Sequence, residues 1–120
     1  MQRTTGLSDV VRAIAARDGV EAVLLASSDG LAIDHDASVA FEPETVAALS
    51  STLAQHVARL GAGADRGDIL TAVFEFSNGV IVLGRLTSGD WLAIVASTDA
   101  DIGPLLHDVR EHGPALAALL

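Results

Sequence analysis

Two acids flank a histidine at Asp34, His35 and Asp36, a composition that could support acid–base or metal chemistry. Imidazole and carboxylate groups can share a metal ion or a proton only if they converge on one point. These three residues fall in a predicted strand, where successive side chains point to opposite faces of the sheet. We therefore predict that His35 lies on the face opposite both aspartates, in a solvated edge strand that is not a catalytic or metal site.

His107 and His112 lie five positions apart in a predicted helix. A zinc-binding pair on a helix needs a spacing of four, which places both imidazoles on one face. Asp108 and His112 do have that spacing. We predict a local polar pair between those two residues and no metal site.

The segment 61–67 reads Gly-Ala-Gly-Ala-Asp-Arg-Gly, a composition seen in phosphate-binding loops. Such a loop needs a helix N-terminus directly after it, and ideally a lysine followed by serine or threonine. A strand is predicted to follow instead, Asp65 lies inside the loop, and the chain contains no lysine. We interpret the segment as the end of a helix followed by a mobile loop.

The remaining candidates for chemistry are two serine pairs, Ser27-Ser28 and Ser50-Ser51, and the single tryptophan, Trp91. Neither serine pair has the Gly-x-Ser-x-Gly context of a serine hydrolase. Trp91 begins a predicted central strand, where a place in the core or at its rim is favoured over ligand stacking. No group of residues meets the geometry of an active site, so we predict a protein that is not an enzyme and holds no cofactor.

The composition points to one domain, 1–120, that folds without disulfides, because half of its 120 residues are hydrophobic and none is cysteine. The net charge is −9 and the seven basic residues, all arginine, are scattered. Nucleic-acid binding needs clustered cations, so it is not expected. Met1–Leu7 lacks the pattern of a secretion signal, and no apolar run approaches the about 20 residues that cross a bilayer. We expect a cytoplasmic protein with no membrane insertion.

Apolar periodicity, prolines and turn signals predict the element order α-β-β-α-β-β-β-α. The predicted helices and strands are a helix from Leu7 to Arg17, strands Val20–Ala26 and Leu31–His35, a helix from Pro43 to Leu60, strands Ile69–Phe76, Val80–Leu86 and Trp91–Ser97, and a helix from Asp101 that Gly113-Pro114 interrupts. Strands that are apolar along their whole length are covered on both faces. The first, fourth and fifth strands have that pattern, which predicts one antiparallel sheet with helices on both sides.

The third strand, Ile69–Phe76, is apolar on both faces, yet it ends a three-stranded meander and should lie at a sheet edge. An exposed apolar edge strand is an aggregation hazard unless another chain pairs with it. We predict that a second copy does so, with an interface on this strand that includes one alternate set: Ile69, Thr71, Val73 and Glu75.

The middle helix carries two stripes. We assign the larger residues to the face that packs on the sheet: Val46, Leu49, Leu53, Val57 and Leu60. The second stripe consists of small residues: Ala47, Ser51, Ala54 and Ala58. These are either ordinary helix-forming residues or a surface on which the same helix of a second copy packs closely, so that one two-fold axis relates both helices and both edge strands.

Several motifs in this order make the chain similar to the Roadblock family of dynein light chains and bacterial GTPase regulators. They are Gly19-Val20-Glu21-Ala22-Val23, Ser28-Asp29-Gly30-Leu31, the helix led by Pro43, the Asn78-Gly79 hairpin, and Leu92-Ala93-Ile94-Val95-Ala96 ending at Asp101-Ile102-Gly103. The resemblance implies an α+β fold with sheet order 2-1-5-4-3, the middle helix on one face and the terminal helices on the other. It also implies a homodimer in which the third strands pair and the middle helices lie antiparallel.

The resemblance further implies that the dimer binds a small Ras-like GTPase and favours GTP hydrolysis by positioning the GTPase's own residues. The partner would bind the remaining face of the middle helix, which carries Ala48, Thr52, Gln55 and Arg59. Two alternatives stay open: a pure assembly scaffold for a kinase or motor complex, and a small-molecule sensor.

Overall fold

The computed structural model describes residues 6–120, and its fold is a five-stranded antiparallel sheet with three helices. The elements are α1 (Leu7–Ala15), β1 (Val20–Ala26), β2 (Ala32–Ala37), α2 (Pro43–Gly63), β3 (Thr71–Phe76), β4 (Gly79–Arg85), β5 (Trp91–Ala96) and α3 (Ile102–Leu119). The strand order is β2-β1-β5-β4-β3 with every pair antiparallel. The predicted element order and sheet topology are confirmed. The expected absence of a secretion signal over Met1–Leu7 falls mainly outside the described residues.

The three inner strands are buried on both faces, as their continuous apolar sequences predict. On one face, Val23, Leu25 and Ile94 pack among residues of α1 and α3. On the other face, Leu24 and Trp91 belong to a smaller cluster that α2 covers. Because β2 and β3 each have one neighbouring strand, both lie at sheet edges, as predicted.

The α1 and α3 face forms the larger core. Val11 and Ile14 of α1 and Leu116 of α3 are almost fully buried in it. The close approach of α3 to the sheet depends on Gly84 in β4, because a Cβ atom there would lie 2.2 Å from Val109 Cγ1. Only glycine leaves room for the helix at this point.

The prediction that Gly113-Pro114 interrupts the last helix is wrong, because α3 continues through both residues. Proline inside a helix removes one backbone hydrogen bond. Tertiary packing outweighs that loss: Gly113 is buried beside Leu86, and Leu116 beyond the proline is fully buried. A break before Leu116 would remove this side chain from the core.

The orientation of α2 differs from the prediction, because residues of both stripes face the sheet. Ala47 is fully buried there, and Val46 and Ala54 both pack against the apolar cluster. Leu49 and Leu60 are displaced to the side and are 63% and 70% exposed.

The physical reason is the closeness of α2 to the strands beneath it. Gly30, in the turn between β1 and β2, has φ +87°, and a Cβ built on it would lie 3.2 Å from both Ala48 Cα and Ser51 Cβ. The Ser51 hydroxyl donates to the carbonyl oxygen of Ser28 in the same turn at 2.9 Å. Only small side chains fit where α2 meets this turn, so Leu49 and Leu53 lie to one side of it, over the outer strands.

Among the described residues, no helix is both long enough and apolar enough to cross a membrane.

Candidate protein-interaction site

The residues best suited to acid–base or metal chemistry do not converge on one site. His35 pairs across the sheet with Leu24, on the α2 face, and its ring centroid lies 6.4 Å from that of Phe41. Asp34 is opposite Leu25, on the α1 face, where its carboxylate accepts a hydrogen bond from Ser8 at 2.8 Å. The predicted separation of His35 from the aspartates is therefore confirmed. Within residues 6–120, no group of three or more potential metal ligands is placed to hold an ion.

The predicted pairing of Asp108 with His112 is wrong. The Asp108 carboxylate instead accepts a hydrogen bond from Arg17, which is 91 positions away in the sequence. On the surface of α3, His107 lies 3.9 Å from Glu111 in an exposed pair. Asp108 is 1% exposed and faces the body of the protein, whereas His112 is half-buried on another part of the helix.

The glycine-rich segment does end a helix, as predicted, because α2 finishes at Gly63. The Arg66 amide then donates to the Gly61 carbonyl, and Asp65 and Gly67 have positive φ. The next element is β3, so the loop has no helix N-terminus after it with which to bind phosphate. Trp91 is 5% exposed and belongs to the core, in agreement with the prediction.

The serines have structural contacts. Ser27 accepts a hydrogen bond from the Leu31 amide and so closes the turn between β1 and β2. Ser50 is buried on α2, while Ser51 joins α2 to the same turn.

The most distinctive surface is an apolar groove between α2 and the outer strands of the sheet. We call it the leucine groove; its cavity is about 220 Å³, and its main lining residues are Val46, Leu49, Leu53, Phe74, Phe76 and Ile81. None of these side chains is charged. Exposed apolar surface of this kind, continuous over several residues, is typical of a protein–protein contact.

The edge strand β3 extends this apolar surface. Its outer side is unpaired within the described chain. Phe76, on the groove face, is 55% exposed, and Val73, on the opposite face of the sheet, is 42% exposed. Phe74 pairs with Ile81 and forms one wall of the leucine groove. The free strand edge and the groove are therefore adjacent parts of one surface.

The residues predicted to form the dimer interface differ in how far the described chain itself buries them. Among the small residues of α2, Ala47 is fully buried by its own chain, Ser51 and Ala54 are half-buried on the sheet side, and Ala58 is exposed. The small stripe is therefore used in part for packing within the chain, and its role in a dimer stays a prediction. On and beside β3, Ile69 and Thr71 are half-buried, whereas Val73 and Glu75 are exposed, and their role in a dimer stays a prediction.

The four residues predicted to bind a partner are all exposed along one side of α2: Ala48, Thr52, Gln55 and Arg59. The Thr52 hydroxyl donates to the Ala48 carbonyl at 3.2 Å. Gln55 lines a shallow cleft that also contains Trp91. The structure places these residues together on an accessible helical face, and their contact with a partner stays a prediction.

Sequence reasoning missed the exposure of Leu49, Leu53 and Leu60, although it identified them as one stripe. Large apolar side chains were assigned to the sheet because burial within one chain is their usual state. The signal that could have corrected this was Gly30, whose turn must approach whichever helix covers it. A close helix would have required the small stripe on the inside.

The family model described as the Roadblock/LC7 domain matches residues 7–96, which include the whole sheet, α1 and α2. The chain therefore belongs to the Roadblock/LC7 family. No curated protein matches the sequence.

Solved structures have the same fold at low sequence identity. The Roadblock/LC7 domain from Streptomyces avermitilis is 24% identical, with a TM-score of 0.80 over 93% of this chain and 98% of that one. MglB from Myxococcus xanthus is 12% identical, with a TM-score of 0.88 over 98% and 97% of the two chains. The gliding protein MglB from Thermus thermophilus is 18% identical, with a TM-score of 0.84 over 94% and 87%.

Proposed function

We propose that this protein is a cytoplasmic homodimer that binds a small Ras-like GTPase and promotes hydrolysis of its GTP by positioning the GTPase's own residues. In this proposal the chain is a regulator and not itself an enzyme. Membership of the Roadblock/LC7 family supports this assignment, because the resemblance to its bacterial members implies a GTPase partner.

The observation that carries the proposal is the exposure of the leucine groove beside an unpaired edge strand. A second copy related by a two-fold axis would place its own leucines against this groove and its β3 beside the first β3. The apolar side chains and the free strand edge are then both shielded from water. One structural relative, MglB, has been solved in a tetrameric arrangement, which supports self-association within the fold.

Dimerisation through the leucine groove leaves the outer face of α2 accessible. The Arg59 side chain is exposed, and within residues 6–120 it forms no hydrogen bond or ion pair. Arginine and polar side chains on a rigid helix are frequent energetic centres of protein interfaces. In an antiparallel pair of helices, two such faces would form one platform for the GTPase.

The test is GTP hydrolysis by a small Ras-like GTPase from the same organism, measured with and without the purified protein. A pull-down with the GTPase in each nucleotide state accompanies it. We expect GTP-selective binding and faster hydrolysis. Binding without a change in rate would favour the assembly-scaffold alternative, and absence of binding in both states would contradict the proposal.

The variant Arg59→Ala tests the proposed platform. We expect about tenfold weaker GTPase binding, the effect of removing one central arginine contact. Arg110→Ala is the matched control, because Arg110 is exposed on α3, which covers the opposite sheet face. Equal weakening by both variants would point to a general charge effect and contradict a binding site on α2.

A further inference from the structure

The sheet has a second edge strand, β2, on the side away from the proposed dimer interface. Like β3, it has exposed apolar side chains on it or beside it: Leu31, Ile33 and Val39. A strand edge of this kind can pair with another chain unless something prevents it. If both edges of this chain were open, copies would add at either side and the assembly would have no fixed size.

The hydrogen bonds of β2 show which of its backbone groups face away from the sheet. The Ser38 amide donates to the Glu21 carbonyl of β1 at 2.9 Å. Because amides alternate in direction along an antiparallel strand, every second amide before Ser38 also points toward β1. The amides of His35 and Ala37 therefore point outward, where an added strand would have to accept their hydrogen bonds.

One of these outward amides is already occupied by a side chain of β2 itself. The Asp34 Oδ1 atom accepts a hydrogen bond from the His35 amide at 2.9 Å. The other carboxylate oxygen, Oδ2, accepts from the Ser8 hydroxyl of α1 at 2.8 Å, which holds the carboxylate in this position. A strand pairing with β2 would have to displace the carboxylate, because a side-chain acceptor of this kind competes with the hydrogen bonds of a sheet.

The same strand carries like charges that would meet in a symmetric pair of β2 strands. In an antiparallel pair about a two-fold axis centred on His35, Asp34 of each copy lies directly opposite Asp36 of the other. An axis centred on Asp34 or Asp36 places two copies of that aspartate opposite each other instead. Like charges directly opposite one another destabilise a strand pair, so all three central alignments are unfavourable.

β3 has neither obstacle. Its single charged residue, Glu75, lies opposite Val73 of the second copy when the pair is centred on Phe74. Within residues 6–120, no side chain accepts a hydrogen bond from an amide of β3. The two edges therefore differ in their readiness to pair with a second copy, although both expose apolar side chains.

We propose that Asp34 and Asp36 close the β2 edge to strand addition, so that copies of this chain associate through β3 alone and the assembly stops at a fixed size. Asp34 acts both as a cap on the His35 amide and as a charge, whereas Asp36 acts as a charge. The role given to β3 rests on the proposed function, but the closure of β2 does not.

The variant Asp34→Thr/Asp36→Thr tests this closure, because threonine favours strands and the change removes both charges and the cap. In a sedimentation concentration series, the wild type should reach a limiting mass while the variant continues to larger species. Association through β2 should be at least about tenfold stronger in the variant. Hydrogen exchange should show new protection of residues 32–37 in those species. If the double variant does not fold, Asp34→Asn keeps the side-chain shape and should give a smaller increase in mass.

Asp99→Asn/Glu111→Gln is the matched control, since it removes two charges from exposed positions outside β2 and β3. It should leave the limiting mass unchanged. A Leu49→Glu background, which disrupts the proposed β3 interface, separates the two proposals. In that background, or if the wild type is monomeric and the proposed dimer is wrong, the double variant should still form dimers through β2. Equal masses for the double variant and wild type, equal growth of the control, or growth without protection of residues 32–37 would overturn the closure.

Discussion

Replacing Leu49 with glutamate is expected to convert the proposed dimer into a monomer without unfolding the chain. Leu49 is 63% exposed in the single chain, so a charged side chain there remains in water when the monomer folds. In the symmetric dimer the change occurs twice, and each copy loses the burial of a leucine, about 2 kcal/mol. The dissociation constant should therefore rise about a thousandfold.

Analytical ultracentrifugation over a concentration series would measure this change. Gln55→Glu is the matched control, because it adds the same charge on the same helix, at an exposed position outside the leucine groove. It should leave the dimer intact. A wild-type chain that is monomeric at micromolar concentration, or a Leu49→Glu variant that stays dimeric, would contradict the proposed interface.

Gly84→Ala is expected to cause a large loss of stability from a single added methyl group. That methyl would lie 2.2 Å from Val109 Cγ1, so Val109 must change rotamer within a packed core or α3 and β4 must move apart. Overpacking of this kind typically costs about 1–3 kcal/mol, and we expect the upper end because both elements belong to the larger core. Urea denaturation would report the change in the free energy of unfolding.

A second substitution tests the cause. Val109→Ala in the Gly84→Ala background removes the clashing methyl groups and should recover part of the lost stability, although alone it should be destabilising. Gly63→Ala is the control, because nothing lies within 4 Å of a Cβ atom at this position near the end of α2. It should be neutral or slightly stabilising. Additive effects of Gly84→Ala and Val109→Ala would contradict the steric explanation.

The sheet was predictable because strand burial leaves a direct mark on sequence. β1, β4 and β5 are apolar on both faces, whereas β2 alternates with Asp34 and Asp36, and this contrast separates inner strands from an edge. The continuity of α3 was not predictable. Gly113 and Pro114 are local signals for a break, and the opposing force comes from the burial of Leu116 by distant residues.

Only part of the candidate interface could be predicted from the sequence. The helical period correctly separated the leucines of α2 from its small residues, but periodicity does not state which stripe faces the sheet. That choice depends on the separation between helix and sheet, which Gly30 and its turn determine. The contact between Arg17 and Asp108 was also out of reach, because no local pattern relates residues 91 positions apart.

The unequal filling of the two faces of the sheet has a consequence for partner exchange. The core beneath α1 and α3 is complete within one chain, whereas α2 contributes only Ala47 and Ser50 as buried residues. In the proposed dimer, separation of the subunits would therefore leave each chain with an intact core. Subunits could then change partners without unfolding, and a related chain with a matching leucine groove could replace one copy to form a heterodimer.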